Sequence, residues 1–297
     1  MIGLSDKGWL IEMMHEGKIS PLDQAVRNDR TPFYDAYFGL GQTVRLIDKP
    51  GVFKVSPAGL ALGALLLKAL DERELSGKIL DVGTGSGVQA ILLRVLGATN
   101  ITASDVCRDA VVAAVENELL NFDNNEIRFV VADLFNGTGD TGEQFDVIVF
   151  NPPGWRTPSA SFLDELRRIG GNDDMKPASM FYGDQTLLRF LRELPDHLCQ
   201  RGRAIVGVNS LVGIQDVLGR YRICCSGAPP LNFRLMERHT FPLIFYSEAW
   251  KRARSALFEE FEAWRTSNGA AYTRDSQGRI YWSYELIECR LNENGRR

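Results

Sequence analysis

ILDVGTGSGVQAI, residues 79–91, sets Gly83, Gly85 and Gly87 directly behind a short apolar run, with Asp81 two residues ahead of the first glycine. KILDV (78–82) reads as a strand, and GVQAILLRVLG reads as a helix that ends at Gly97. Glycines between a strand and a helix let the backbone turn sharply and approach a ligand with no Cβ in the way. The helix that starts there points free N–H groups at that ligand. GSGVQA, from Gly85, also fits a loose G-x-G-x-x-A dinucleotide fingerprint, with Asp105 about 20 residues on, so a nicotinamide-dependent dehydrogenase stands as one reading. A dinucleotide fold would not require the acid at Asp81.

Outward from this turn, strand-like and helix-like stretches alternate. NITASD, EIRFVVAD, FDVIVFN and RGRAIVGVN read as strands, and CRDAVVAAVENELLNF and DQTLLRFLRELPDHLC as helices. Such alternation predicts a mostly parallel sheet with helices on both faces. Upstream, residues 5–30 read as helical, Phe33 to Val55 as a strand pair turning around DKPG, and Ser56-Pro57 as the start of a helix. Downstream, SLVGIQDVLGRY reads as a helix and RICCSGAPPLNFRLMERHTFPLIFY as two further strands. An amphipathic helix through SEAWKRARSALFEEFEAW and a hairpin turning at SQG follow. The expected organisation is an N-terminal appendage over 1–55, a core domain over 56–246 and a helix-hairpin extension over 247–297.

The 297 residues are 44% hydrophobic and 24% charged, as in an ordinary globular protein. With 34 basic against 38 acidic side chains, the chain has no overall attraction for phosphate backbones, which weighs against nucleic-acid substrates without excluding them. Five cysteines without a C-x-x-C pair and only three histidines predict reduced thiols and no metal site. The start lacks a signal-peptide pattern, and AGLALGALLL (58–67) is about half the length that a membrane span needs, which predicts a cytoplasmic protein with no membrane partner.

FDVIVFNPPGW, residues 145–155, is a second landmark. A β-branched and aromatic run meets two prolines, so Asn151, Pro152 and Pro153 fall at a strand's C-terminal edge, where open α/β sheets bind ligands. Taken alone, the same residues could simply be a turn that breaks a strand.

Four matches stand in order: DVGTGSG (81–87), SD (104–105), AD (132–133) and NPPG (151–154). With them the chain, over roughly residues 55–215, resembles the class I S-adenosylmethionine-dependent methyltransferases. It most resembles the branch with N-P-P-[aromatic], which includes glutamine N5 methyltransferases of release factors and ribosomal proteins, and exocyclic-amine methyltransferases of RNA and DNA. The resemblance implies a Rossmann-like α/β sheet and S-adenosyl-L-methionine as cofactor. It places Gly83, Thr84, Gly85 and Gly87 around the methionine part, with Asp81 near its amino group. Asp105 would take the ribose hydroxyls, its alternative being a helix N-cap near Cys107. Asp133, with Leu134 beside it, would meet the adenine, its alternative being an ordinary turn carboxylate.

Asn151, Pro152 and Pro153 would carry catalysis, with Asn151 also bordering the cofactor. The Asn151 side-chain oxygen and the Pro152 carbonyl can each accept one N–H of a planar nitrogen and aim its lone pair at the methyl group. Gly154 stands where that branch has an aromatic residue. Trp155 either takes over stacking on the target or packs in the core. Phe181 and Tyr182 either wall the acceptor pocket or pack ordinarily. The expected methyl acceptor is a protein glutamine or a small amine-bearing molecule. RNA or DNA amine methylation, small-molecule O-methylation and a non-catalytic methyltransferase-fold module remain as alternatives.

Overall fold

The computed structural model describes residues 32–48, 54–139, 142–169, 180–245 and 248–292. The helix expected within 5–30 lies outside these residues, as do Lys49, Pro50 and Gly51 of the expected DKPG turn.

An antiparallel hairpin of β1 (Phe33–Gly39) and β2 (Gln42–Ile47) comes first. Its turn is at Leu40-Gly41, a correction to the turn expected around DKPG. Gly39, Leu40 and Gly41 take φ values of +118°, +48° and +79°, and this left-handed run reverses the chain. Alternate residues Ala36, Phe38, Val44 and Leu46 are buried, so one face of the hairpin joins the core. α1 (Pro57–Ala69) follows, capped by Ser56, whose Oγ accepts from the Gly59 N–H at 3.2 Å, and α2 (Glu72–Leu75) is a single turn with a capping box from Asp71.

The main sheet starts at β3 (Ile79–Val82). After α3 (Val88–Val95) come β4 (Ile101–Asp105), α4 (Arg108–Phe122), β5 (Arg128–Val131) and β6 (Phe145–Phe150). After α5 (Ala160–Ile169) and α6 (Gly183–His197) comes β7 (Leu198–Asn209). These five strands are parallel in the order β5-β4-β3-β6-β7. The order reverses between β3 and β6, and that switch point places the ends of both strands at one crevice. Strand alternation divides the core in two. Ile79, Val147 and Val149 pack with the hairpin, α1 and α3, whereas Leu80, Ile148 and Phe150 pack with α6 and α7 (Ile214–Cys224) on the other face.

Beyond α7 the structure has one strand, β8 (Leu231–Pro242), where two were expected. The helix runs on through Cys224, and no glycine or proline interrupts the stretch from Leu231 to Phe241, so nothing turns the chain. The expected amphipathic helix is present as α8 (Glu248–Arg252) and α9 (Arg254–Asn268), joined at Ala253. The hairpin at SQG pairs β9 (Tyr272–Arg274) with β10 (Ile280–Leu291). β10 then lies antiparallel between β7 and β8, inside the main sheet. Among the described residues no helix is long and apolar enough to cross a membrane.

Candidate active site

The chain leaves β3 through Gly83, Gly85 and Gly87 at φ of +64°, +56° and +81°, a conformation that side chains rarely adopt. The turn has two different sides. A Cβ at Gly85 would meet nothing within 4 Å, so that backbone faces open space, whereas a Cβ at Gly87 would come within 2.9 Å of the Ala114 Cβ on α4.

Asp81, 2% exposed, accepts a hydrogen bond from Thr84 Oγ1 at 2.6 Å. Burial pushes its carboxyl up to about 7, with the Thr84 bond only partly offsetting that cost. Asp105, at the end of β4, reaches across to the turn: one carboxylate oxygen accepts from Gly85 N–H at 2.9 Å and the other from Cys107 N–H at 2.8 Å. Cys107, which starts α4, makes no side-chain cap, and Asp105 sits ahead of the helix and not within its first turn. Val106 beside it is 71% exposed, an apolar side chain left open at the sheet edge.

Asp133 is exposed and paired with Arg189 of α6 at 3.0 Å. Leu134 next to it is buried and held at φ +53°, a strained backbone for a branched residue. This loop bends sharply, for Asp133 also bridges to Asn136.

At the end of β6, the Asn151 Oδ1 accepts from the Tyr284 hydroxyl of β10 at 2.8 Å. After Pro152 and Pro153, a Cβ at Gly154 would lie 2.8 Å from Asn209 Nδ2, so the place of the usual aromatic is taken by the Asn209 carboxamide. Trp155 is 5% exposed and meets Phe181, Trp250 and Phe261 edge-on at 5.2, 5.3 and 5.5 Å between ring centroids. Its backbone is pinned as well, with Trp155 N–H donating to Met180 O at 2.7 Å and Gly183 N–H donating to Trp155 O at 2.8 Å. Swinging this indole out would forfeit about 3 kcal/mol or more of burial. Trp155 therefore packs in the core, and Phe181 is fully buried in the same cluster. Of the two expected wall residues, Tyr182 keeps partial exposure, in a left-handed conformation ahead of α6.

The segment after Asn-Pro-Pro is held by charge. Arg156 donates to Asp216 at 2.6 Å and to the Val212 carbonyl at 2.8 Å, and Asp184 accepts from Thr157 N–H at 2.7 Å and from Arg220 at 3.3 Å. Two arginines of α5 turn to their own helix, Arg167 pairing with Asp164 and Arg168 with Glu165. Among the described residues, no group of three or more His, Cys, Asp or Glu side chains could hold a metal ion.

Thus the structure joins Asp81, Thr84, Gly85 and Asp105 through hydrogen bonds, and sets Asn151 on the adjacent strand, where Phe150 lies opposite Val82. Sequence reading missed Tyr284, Asn209, Gly207 and Asn117. Asn117 and Asn121 carried a faint signal, since two buried or half-buried amides four apart share one helix face. The others carried none, because their partners lie far away along the chain.

A parallel sheet in this order, with a glycine turn after its first strand, an acid ending the second and Asn-Pro-Pro ending the fourth, defines a Rossmann-like class I methyltransferase. Comparison with known proteins agrees. The model of the methyltransferase small domain matches residues 43–162. A Methanocaldococcus jannaschii protein named as an N5-glutamine methyltransferase is 33% identical over 175 residues, covering 58% of this chain and 77% of that protein. A release factor glutamine methyltransferase of Chlorobaculum tepidum is 41% identical over 114 residues, covering 36% and 38%. A ribosomal RNA small subunit methyltransferase C of Serratia proteamaculans is 38% identical over 105 residues, covering 35% and 28%. The chain thus spans well under half the length of these last two. The solved 16S rRNA N2 methyltransferase of T. thermophilus, in complex with AdoMet and guanosine, is 22% identical with a TM-score of 0.44, covering 64% of this chain and 45% of that one. The chain belongs to the methyltransferase small domain family and is an S-adenosylmethionine-dependent methyltransferase. That membership replaces the dehydrogenase reading of the glycine turn.

The site fits such a cofactor. The turn keeps its outer face clear at Gly85, and carboxylates stand at both ends of it.

Proposed function

We propose that this enzyme methylates a planar sp2 nitrogen, the acceptor being the amide of a protein glutamine or an amine-bearing small molecule. The observation that carries this reading is Asn151 at the C-terminal edge of β6, one strand from the glycine turn, with its carboxamide oxygen held by a buried hydroxyl.

S-adenosylmethionine supplies an electrophilic methyl group on a sulfonium. The backbone of Gly83, Thr84, Gly85 and Gly87 holds the methionine part, and an ionised Asp81 faces its ammonium group. Each Asp105 oxygen uses one lone pair on a backbone N–H and keeps another for a ribose hydroxyl. Val106 offers an apolar surface to the adenine, and Asp133 meets the adenine amino group alongside or in place of Arg189. Asn151 and the Pro152 carbonyl accept the two N–H groups of the target nitrogen, which fixes its lone pair toward the methyl carbon. Those bonds strengthen as the nitrogen becomes positive, so they favour the transition state over the ground state. Proline keeps its carbonyl aimed by its fixed φ. The nitrogen loses its proton to water after transfer, once its acidity has risen, so no general base is required.

The names of the M. jannaschii and C. tepidum relatives support an amide acceptor. At the site itself Asn209 lies against Gly154 and Trp155 is packed away, so the acceptor meets Asn151 and the Pro152 carbonyl without a ring from either position. The test is incubation of the protein and its Asn151→Ala variant with methyl-labelled S-adenosylmethionine and host lysate, then separation into protein, nucleic-acid and small-molecule fractions. Label in the protein or small-molecule fraction with the parent protein alone is expected. Label in nucleic acid overturns the acceptor class, and label independent of Asn151 overturns the assigned chemistry.

A further inference from the structure

We propose that Tyr284 is a positioning residue for methyl transfer, its hydroxyl holding the Asn151 carboxamide in the orientation that receives the acceptor's N–H. The inference rests on the role given to Asn151 above.

Three observations carry it. The hydroxyl donates to Asn151 Oδ1 at 2.8 Å across a sequence separation of 133 residues, and the tyrosine is 2% exposed. No other hydrogen-bond partner of this hydroxyl occurs among the described residues. Finally, the neighbouring strand is cut away to admit the ring. β10 pairs with β7 so that Tyr284 lies opposite Asn209 and Leu286 opposite Gly207. A Cβ at Gly207 would sit 1.7 Å from the tyrosine oxygen and 2.4 Å from Cζ. Gly207 has ordinary strand geometry, so the backbone does not call for glycine there; the phenol does.

The chemistry follows from the carboxamide. Its terminal torsion is soft and roughly two-fold, so an unanchored amide can present either its oxygen or its NH2 to the crevice. A donor fixed in the sheet ties one lone pair of Oδ1 and leaves the second for the acceptor. Burial pushes the Tyr284 phenol well above its usual range, so the hydroxyl keeps its proton. The oxygen side of Asn151 is thereby set before the acceptor arrives.

Single-turnover transfer to the lysate fraction that the parent protein labels, together with calorimetry of S-adenosylhomocysteine, tests this in Tyr284→Phe, Asn151→Ala and the double variant. Tyr284→Phe is expected to slow transfer roughly 10- to 100-fold, the worth of one well-placed hydrogen bond, with homocysteine-product affinity unchanged within about twofold. Added to Asn151→Ala it should cause no further loss. Equal losses in both backgrounds, or a matching fall in S-adenosylhomocysteine affinity, would assign Tyr284 a structural role and overturn the proposal. Gly207→Ala, which forces the ring away, should reproduce the slow phenotype.

An acceptor-free readout accompanies these. The side-chain amide signal of Asn151, identified by its loss in Asn151→Ala, should move in Tyr284→Phe. An unmoved signal in a protein that still labels its fraction overturns the role of Tyr284 alone. Absence of label from every fraction with the parent protein overturns the acceptor reading, and the positioning role with it.

Discussion

Asn117 donates from Nδ2 to the Ser86 carbonyl at 2.9 Å, and so ties α4 directly to the glycine turn. Its Oδ1 accepts from the Ile47 N–H of β2 at 2.8 Å, while Asn121 bonds both the N–H and the carbonyl of Arg45. One carboxamide thus couples the hairpin to the glycine turn. Asn117→Ala would strand a buried carbonyl and an N–H, a cost of about 1–3 kcal/mol each when unsatisfied. Thermal unfolding should show the loss of stability, and calorimetry a weaker affinity for S-adenosylhomocysteine. Full affinity in a destabilised variant would confine Asn117 to the scaffold.

With the role proposed for it, Asp81 is expected to make cofactor binding pH-dependent. Its carboxyl is raised from 3.8 to about 7 by burial. The folded chain therefore holds a proton that the unfolded chain has released, and stability falls as pH rises from about 4 to about 7, then levels. Binding an ammonium group favours the ionised carboxylate. Affinity should accordingly rise with pH by up to about tenfold per unit below 7 and flatten above it. Calorimetry from pH 5 to 8 reads the slope, and Asp81→Asn should abolish it along with most of the affinity.

Gly154 and Asn209 exclude each other's side chains. Gly154→Ala would press its methyl on Asn209 Nδ2, and overpacking of this kind typically costs about 1–3 kcal/mol. Combining it with Asn209→Ala should recover most of that loss. A double-mutant cycle on melting temperature decides, and additive losses would show that the two sites do not meet.

Trp155 is expected to serve stability. Trp155→Ala should cost about 3–5 kcal/mol by opening a cavity among Phe181, Trp250 and Phe261. A ring that merely stacked on the acceptor would instead lower the transfer rate and leave unfolding unchanged. Denaturant titration beside the transfer assay separates the two.

What could be read from the sequence was what neighbours along the chain decide. The glycine turn, the acid ending β4 and the prolines ending β6 act within a few residues, and each strand of the parallel core announces itself by its own apolar run. The hairpin turn was misplaced because Leu40 adopts a conformation usually left to glycine, while Pro50-Gly51 had the stronger turn composition. The fate of Trp155 depended on helices α8 and α9, about 100 residues on, and that of Asn151 on β10. Asp133 was legible as an acid at a strand end, but not its pairing with Arg189, which depends on how α6 settles against the loop.

The position of β10 has a consequence for how the protein is made. Among the described strands β8 pairs only with β10, yet it leaves the ribosome first, so it must wait unpaired while α8, α9 and β9 are synthesised. Long-range pairings of this kind close late and slowly, and an exposed strand edge is prone to wrong partners in the interval. The hydroxyl that meets Asn151 arrives with that same late strand. A nascent chain can therefore have all five parallel strands and the glycine turn before the Asn151 carboxamide is in order, and maturation of activity should lag behind formation of the parallel sheet.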